Sequence, residues 1–119
     1  MSLKFRRAVR LRSRDQFDHV QRGGRRVSAR FLTLIGSPNS LDRDRLGIIA
    51  SRRVGGAVLR NKAKRRLREA FRRLEPGSAY RTLDLVVIAR QAITEVPFLE
   101  VEADFRAALG KLRGVKYSA

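Results

Sequence analysis

The segment "TLDLVVIAR" at positions 82–90 restricts the fold of this 119-residue chain more than any other stretch. It is nearly continuously apolar, whereas a strand with one face in water alternates apolar and polar residues. A continuous apolar run of this length is typical of a central strand that is covered on both faces. We therefore expect a β-sheet with this strand inside it and packed layers on both sides.

Three helices are predicted around this strand. The first begins near Ser13, which can cap its amino terminus, and stops at Gly23. The second precedes "EPGSAY" (75–80), because proline and glycine terminate helices. The third starts at about Pro97, since proline suits the first helical position.

Two further strands are predicted before the second helix, at "RVSARFLTLI" (26–35) and "RLGIIAS" (45–51). The first of these would place five residues on one face: Val27, Ala29, Phe31, Thr33 and Ile35. The element order becomes α-β-β-(β)-α-β-α, with one optional additional strand. This order predicts an α+β sandwich that forms a single domain over residues 1–119, with a basic amino-terminal segment at 1–12.

The formal net charge of +17 limits the possible partners. Hydrophobic residues make up 43% of the chain, which is enough for a core, so the charge does not indicate disorder. A protein that keeps so much like charge is expected to bind a polyanion, nucleic acid first and an anionic membrane surface second. The chain has no cysteine, which excludes disulfides and thiol chemistry and agrees with a cytoplasmic location.

Much of this charge lies in "RNKAKRRLREAFRR" (60–73), where eight of fourteen residues are basic and one is acidic. At helical spacing its apolar residues form one stripe with those that flank it, comprising Leu59, Ala63, Leu67, Ala70, Phe71 and Leu74. The opposite side carries Asn61, Arg65, Arg68 and Arg72, and the flanks carry Lys62, Lys64 and Arg73. The segment is therefore predicted to be a helix that docks on the core and presents cations outward.

A charged outer helix face is usually only solvated, but such faces mix charges of both signs. Here Lys64, Arg68 and Arg72 follow one another at four-residue spacing, where like charges repel. This favours an external anion over a merely solvated face. A membrane-surface or calmodulin-type helix is the weaker alternative, because the chain has strands against which the apolar stripe can be buried.

The longer segment "SRRVGGAVLRNKAKRRLREAFR" (51–72) resembles the signature of the protein subunit of bacterial ribonuclease P. That family typically reads Ser-Lys-Lys, a glycine, Ala-Val, then Arg-Asn-Arg, a Lys-Arg pair and Arg-Glu. The equivalents here fall in register, and a basic amino terminus, "RLGI" and "DLVVIAR" extend the resemblance over most of the chain. Lys62 stands where the family usually has arginine, and Gln21 stands where many relatives have a second aromatic.

The resemblance implies a β-α-β unit with a left-handed crossover, like that of the second domain of a small-subunit ribosomal protein. It also implies that the RNA subunit performs Mg²⁺-dependent removal of the 5′ leader from precursor tRNA. The partners would be that catalytic RNA and the leader, with no membrane and no obligate protein partner. The implied contacts to RNA are Arg52, Arg53, Arg60, Asn61, Lys62, Lys64, Arg65, Arg68 and Arg72. A cleft between the first helix and the sheet would hold the leader with Phe17, Arg30 and Phe31, although each Phe is equally consistent with core packing.

No catalytic residues and no protein-bound metal are predicted. A two-metal nuclease needs clustered carboxylates, and an acid–base ribonuclease usually needs two histidines or a histidine with a glutamate. The chain has one histidine, His19, which shares the first helix with Asp15 and Asp18. Asp42 and Asp44 lie in a turn, and the other acids lie mostly in the last helix. The main alternative is a non-catalytic basic RNA-binding protein, such as a ribosomal protein or an RNA chaperone. A self-sufficient nuclease is the third.

Overall fold

The computed structural model describes residues 10–74 and 82–114, which form one four-stranded sheet between helical layers. The elements in chain order are α1 Arg14–Gly23, β1 Arg25–Ser28, β2 Leu32–Pro38, β3 Arg45–Ile49, α2 Ala57–Arg72, β4 Leu83–Ala89, a 3₁₀ helix Gln91–Thr94, and α3 Phe98–Leu112. The α+β sandwich is confirmed, and the optional third strand before α2 is present. Within the described residues, none of the helices is long and apolar enough to cross a membrane.

The sheet has the strand order β1-β2-β4-β3. Strand β4 lies inside it, antiparallel to β2 and parallel to β3, and is buried along nearly its whole length. This confirms the central strand predicted from its apolar run. Helix α2 connects the parallel strands β3 and β4, as the β-α-β unit requires, and the left-handed sense of that crossover stays a prediction.

Alternation along β2 and β4 divides the core between the two faces of the sheet. Leu34 and Leu85 belong to a large cluster that also contains buried residues of α2 and α3. Ile35 and Val86, their neighbours along the strands, belong to a smaller cluster with Val20 of α1. Because adjacent strand residues point to opposite faces, α2 and α3 cover one face and α1 covers part of the other.

The prediction of one strand over 26–35 is wrong, because a turn at positions 29–31 separates β1 from β2. The backbone N–H groups of Arg30 and Phe31 both donate to the carboxylate of Asp104 in α3, at 3.3 and 2.8 Å. The predicted common face is wrong for the same reason. Val27 packs with the α2–α3 cluster, whereas Ile35 packs with the α1 cluster.

The helix ends were predicted closely, with small corrections. Ser13 caps α1 through a capping box with Gln16, and Gly24 follows its last residue. Pro97 is the N-cap of α3 rather than its first residue. Helix α2 ends at Arg72, and the predicted terminator at 75–80 lies outside the described residues. Of the predicted basic segment 1–12, only the last three residues are described.

A partly buried ion pair joins β3 to β4. Arg45 donates from Nε and Nη2 to the two carboxylate oxygens of Asp84, at 2.8 and 2.7 Å, and Asn39 Nδ2 donates to the same carboxylate at 2.9 Å. Burial by itself would raise the pKa of Asp84, but the hydrogen bonds from Arg45 and Asn39 and the charge of Arg45 outweigh it. The pKa of Asp84 is therefore below its ordinary value.

Candidate RNA interface

Helix α2 presents a row of cations because its opposite side is anchored in the core. Ala63, Leu67 and Ala70 are buried, as the apolar stripe predicts. The other end of the stripe differs from the prediction, because Leu59 remains 41% exposed in the first turn of the helix. The core therefore holds α2 through its middle and its carboxyl-terminal half.

We call Asn61, Arg65, Arg68 and Arg72 the outward face of α2. Asn61, Arg65 and Arg72 are exposed, and Arg68 is half-buried. No side chain in residues 10–74 and 82–114 pairs with Arg65 or Arg68 through a hydrogen bond or an ion pair. Their repulsion is thus not offset within the described structure, which supports the inference that an external anion offsets it.

Further cations without an acidic partner among the described residues surround this face. Arg52 and Arg53 are exposed in the turn that precedes α2, which is closed by hydrogen bonds from Val54 N–H to Ser51 and from Gly55 N–H to Arg52. Arg60 and Lys64 are half-buried on one flank of the helix. The structure brings these predicted residues together in one basic surface.

Two cations of α2 turn instead toward the protein. Lys62 Nζ donates to the carbonyl of Thr94 at 3.3 Å. Arg66 Nη1 donates to the carbonyl of Ile93 at 3.1 Å and also to that of Val96. These carbonyls belong to the 3₁₀ helix and the residues after it, so Lys62 and Arg66 tie this segment to α2. Lys62 lies beside the basic surface, but its ammonium group already has a protein acceptor.

The carboxyl-terminal end of the cation row is compensated. Arg72 Nε donates to Glu69 at 2.9 Å, and this hydrogen bond lowers the pKa of Glu69 below its ordinary value. Arg73 contacts the carboxylate of Glu102 at 3.0 Å and lies over the ring of Phe98. The unpaired cations are therefore concentrated in the turn before α2 and in its first three turns.

A second surface lies on the other face of the sheet, beside α1. The ring of Phe17 covers Gly47 so closely that a Cβ there would come within 2.5 Å of two ring carbons. Phe17 is half-buried, and so are Ile49 and Ile88, which pack against the same cluster. These three residues form a partly open apolar floor, which we call the α1 cleft.

The rim of the α1 cleft is polar. Gln21, one helical turn after Phe17, is half-buried, and its side-chain amide has no hydrogen-bond partner among the described residues. Arg90 follows β4 and is exposed, with Nη2 donating to Thr33 Oγ1 at 3.3 Å. Sequence reasoning did not select Arg90, although its place at the end of "DLVVIAR" puts it on the same face as Ile88 by alternation.

Phe31 does not join Phe17 in this cleft. Its side chain is 5% exposed and packs in the α2–α3 cluster on the opposite face of the sheet. Arg30 is exposed and stacks over the Phe31 ring, with its Cζ 4.9 Å from the ring centroid. The structure therefore agrees with the core-packing alternative for Phe31, and Arg30 lies beside Phe31 rather than beside Phe17.

The described residues contain no group of three or more histidine, cysteine or acidic side chains that could hold a metal ion. His19 is exposed on α1. The two surfaces thus consist of cations, amides and apolar side chains. This composition suits the binding of an anionic partner.

Comparison with known proteins shows to which family the chain belongs. The family model for ribonuclease P matches residues 5–113. The chain belongs to this family. The ribonuclease P protein component of Roseiflexus castenholzii is 44% identical over 98 residues, which cover 82% of this chain and 80% of that protein.

Solved structures of the family have the same fold. An RNase P protein of Staphylococcus aureus, a mutant with defective mRNA degradation activity, aligns with a TM-score of 0.78 and 33% identity over 87% of each chain. The RNase P protein from Thermotoga maritima aligns with a TM-score of 0.72 and 32% identity, covering 91% of this chain and 98% of that one. The chain is thus the protein subunit of an endoribonuclease complex that acts in tRNA 5′ processing, and RNA is its partner in that complex.

Proposed function

We propose that this subunit binds two RNA segments at once and leaves the chemistry to the RNA. The outward face of α2, with Arg52 and Arg53, would bind the catalytic RNA, and the α1 cleft would bind the 5′ leader of precursor tRNA. The RNA subunit would hydrolyse the phosphodiester with Mg²⁺ that it binds itself, in the cytoplasm. The observation that carries the proposal is that four cations of α2, Arg60, Lys64, Arg65 and Arg68, have no acidic partner in the described structure.

The charge of this surface accounts for affinity. Each cation that neutralises a phosphate releases counterions, which supplies most of the free energy of non-specific nucleic-acid binding. Arg65 and Arg68 each add a planar guanidinium that can bind phosphate through two hydrogen bonds. Asn61 lies between them and the turn, and its amide can both donate to and accept from ribose hydroxyls or base edges. Bringing two RNA molecules together also requires cations that reduce the repulsion between their phosphates.

The α1 cleft suits a single strand better than a duplex. Unpaired bases can stack on an aromatic ring, and Phe17 is an aromatic ring that is partly open to solvent on this face. Arg90 on the rim supplies a cation for the backbone of the strand. Among the described residues the cleft has one aromatic, Phe17, and one unpartnered amide, Gln21. One base would therefore stack, and a neighbouring base would meet a hydrogen-bonding group.

Cleavage of precursor tRNA at low Mg²⁺ tests the division of labour. The protein is mixed with the catalytic RNA of the same organism, and each component is also assayed alone. We expect the mixture to cleave faster than the RNA alone and the protein alone to be inactive. A mixture no faster than the RNA alone would contradict the accessory role and favour a different RNA-binding function. Cleavage by the protein alone would identify a nuclease.

Substrates with and without a leader test the α1 cleft. Phe17→Ala should weaken binding of a long-leader precursor by about fivefold to a hundredfold, the range expected for one lost stacked base, and leave leaderless tRNA unchanged. Ile49→Ala is the matched control, because it removes apolar contact from the same floor without removing a ring. An equal loss of affinity for both substrates would show that Phe17 has a purely structural role.

A further inference from the structure

The first turn of α2 exposes two neighbouring aliphatic side chains. Val58 is 80% exposed and Leu59 is 41% exposed. Single apolar residues are common on protein surfaces and need no explanation. These two differ because they are adjacent in sequence and stand at the amino-terminal end of the cation row.

Val58 belongs to the same side of α2 as the outward face. At about 100° per residue, Val58, Asn61, Arg65 and Arg72 fall within an arc of about 60°. Val58 lies about 10 Å along the helix axis from Arg65. An aliphatic side chain therefore continues the line of cations.

Leu59 lies about 100° around the helix from Val58, at the exposed end of the apolar stripe, and packs against the backbone of the preceding turn. Gly55 has a φ of +142°, and a Cβ at this position would come within 2.5 Å of Leu59 Cδ1 and 3.1 Å of Leu59 Cβ. The Leu59 side chain thus lies against Gly55, in space that another residue would fill. The rest of its surface is open to solvent.

Charge decides which partner fits this surface. From Arg52 to Arg68 the sequence contains no acidic residue, so the charged neighbours of Val58 and Leu59 along the chain are all cations. An anionic partner with apolar patches matches both features. RNA has this chemistry, because its phosphates are anionic while the faces of its unpaired bases and riboses are weakly polar.

We propose that Val58 and Leu59 form an apolar platform on which an unpaired nucleotide of the catalytic RNA rests, while the neighbouring cations bind its flanking phosphates. This rests on the proposed function, in which the outward face of α2 binds that RNA. The platform adds a contact that does not depend on charge. It therefore contributes affinity that salt does not weaken, and it favours RNA over polyanions without bases.

Two variants test the platform against a matched control. The first, Val58→Ala with Leu59→Ala, removes aliphatic surface and keeps good helix formers. The second, Val58→Thr, keeps the shape and the branching at Cβ and adds a hydroxyl. The control is Leu99→Ala, because Leu99 is an exposed aliphatic side chain (66%) on a different helix, α3. Thermal melting confirms that each variant is folded.

Binding is measured from 50 to 400 mM salt with two probes, the catalytic RNA and heparin, a polyanion that has no bases. We expect the double variant to bind the RNA roughly threefold to tenfold more weakly at every salt concentration, the loss that corresponds to about one or two of the removed methylene groups being in contact with the RNA. Val58→Thr should show a smaller loss of the same kind. The salt slope and the affinity for heparin should be unchanged in both platform variants. Leu99→Ala should bind the RNA as tightly as the unmodified protein.

Other results would overturn the platform. The double variant could bind the RNA as tightly as Leu99→Ala does. It could lose as much affinity for heparin as for RNA, or its RNA binding could show a lower salt slope. A loss of binding to phosphatidylglycerol vesicles with RNA binding intact would assign the patch to membranes instead. Arg65→Ala with Arg68→Ala separates this failure from that of the proposed function. If those changes leave the salt slope unchanged, the outward face itself is not the RNA surface.

Discussion

Replacing Arg65 and Arg68 by alanine removes two outward cations that have no partner in the described structure. If each neutralises one phosphate, the slope of log K against log salt should fall by about 0.7–0.9 per contact, or about 1.4–1.8 in total. A fourfold rise in salt concentration should then weaken RNA binding by the variant about tenfold less than RNA binding by the unmodified protein. The stability of the protein should change little, because neither side chain holds other elements in place.

The matched control is Arg66→Ala, which removes a cation from the same helix that donates to the carbonyls of Ile93 and Val96. We expect the opposite result, a melting temperature lower by about 5–10 °C, from a loss of about 2 kcal/mol, with the salt slope unchanged. Filter binding with the catalytic RNA at five salt concentrations gives the slopes, and circular dichroism gives the melting temperatures. If Arg66→Ala lowers the slope as much as the loss of one outward arginine, the division of α2 into binding and structural cations is refuted.

Three further predictions concern other parts of the described structure. Glu69→Gln should raise RNA affinity about twofold to threefold at low salt, because it releases Arg72 for phosphate, and an unchanged affinity would show that Arg72 makes no RNA contact. Asp84→Asn should cost about 2–3 kcal/mol at pH 7. The pKa of Asp84 is lowered in the folded state, so its contribution is present above about pH 4 and is lost as the pH falls below that. The unmodified protein should therefore lose its advantage over Asp84→Asn in acid, and an advantage that is constant from pH 7 to pH 3 would contradict this. Gly24→Ala should lower the melting temperature strongly, because a Cβ there would lie within 2.4–2.9 Å of two backbone oxygens and a side chain, while Gly23→Ala, with open space around it, should not.

The sequence predicted correctly those elements whose formation depends on residues close together in the chain. Ser13 begins α1 because its hydroxyl satisfies a backbone donor of the first turn, which needs no information from elsewhere in the chain. The apolar run of β4 predicted a central strand because only a buried strand can be apolar on both faces. The stripe containing Ala63 and Leu67 predicted the orientation of α2, since helical spacing alone places these residues on one side.

Long-range contacts account for the errors. The turn between β1 and β2 is held by the carboxylate of Asp104, more than seventy residues later, and no signal near positions 29–31 reports it. That turn changes which side chains share a face and moves Phe31 into the α2–α3 cluster. The direction of Arg66 and Lys62 likewise depends on the carbonyls of the 3₁₀ helix, a segment too short for periodicity to reveal. Leu59 continues the stripe in the sequence but lies beyond the edge of the core.

The sheet separates the two candidate RNA surfaces, and this separation is a property of the fold rather than of any one residue. Leu34 and Ile35 are neighbours in β2, yet one supports the layer of α2 and the other supports α1. An RNA that binds at one surface does not compete with an RNA bound at the other, because the sheet and its packed side chains lie between the two surfaces. On the proposed function, an RNA subunit held by α2 and a leader held by Phe17 are attached to one rigid body. The second contact then forms at a high effective concentration, so modest affinity in the α1 cleft is sufficient to retain the substrate.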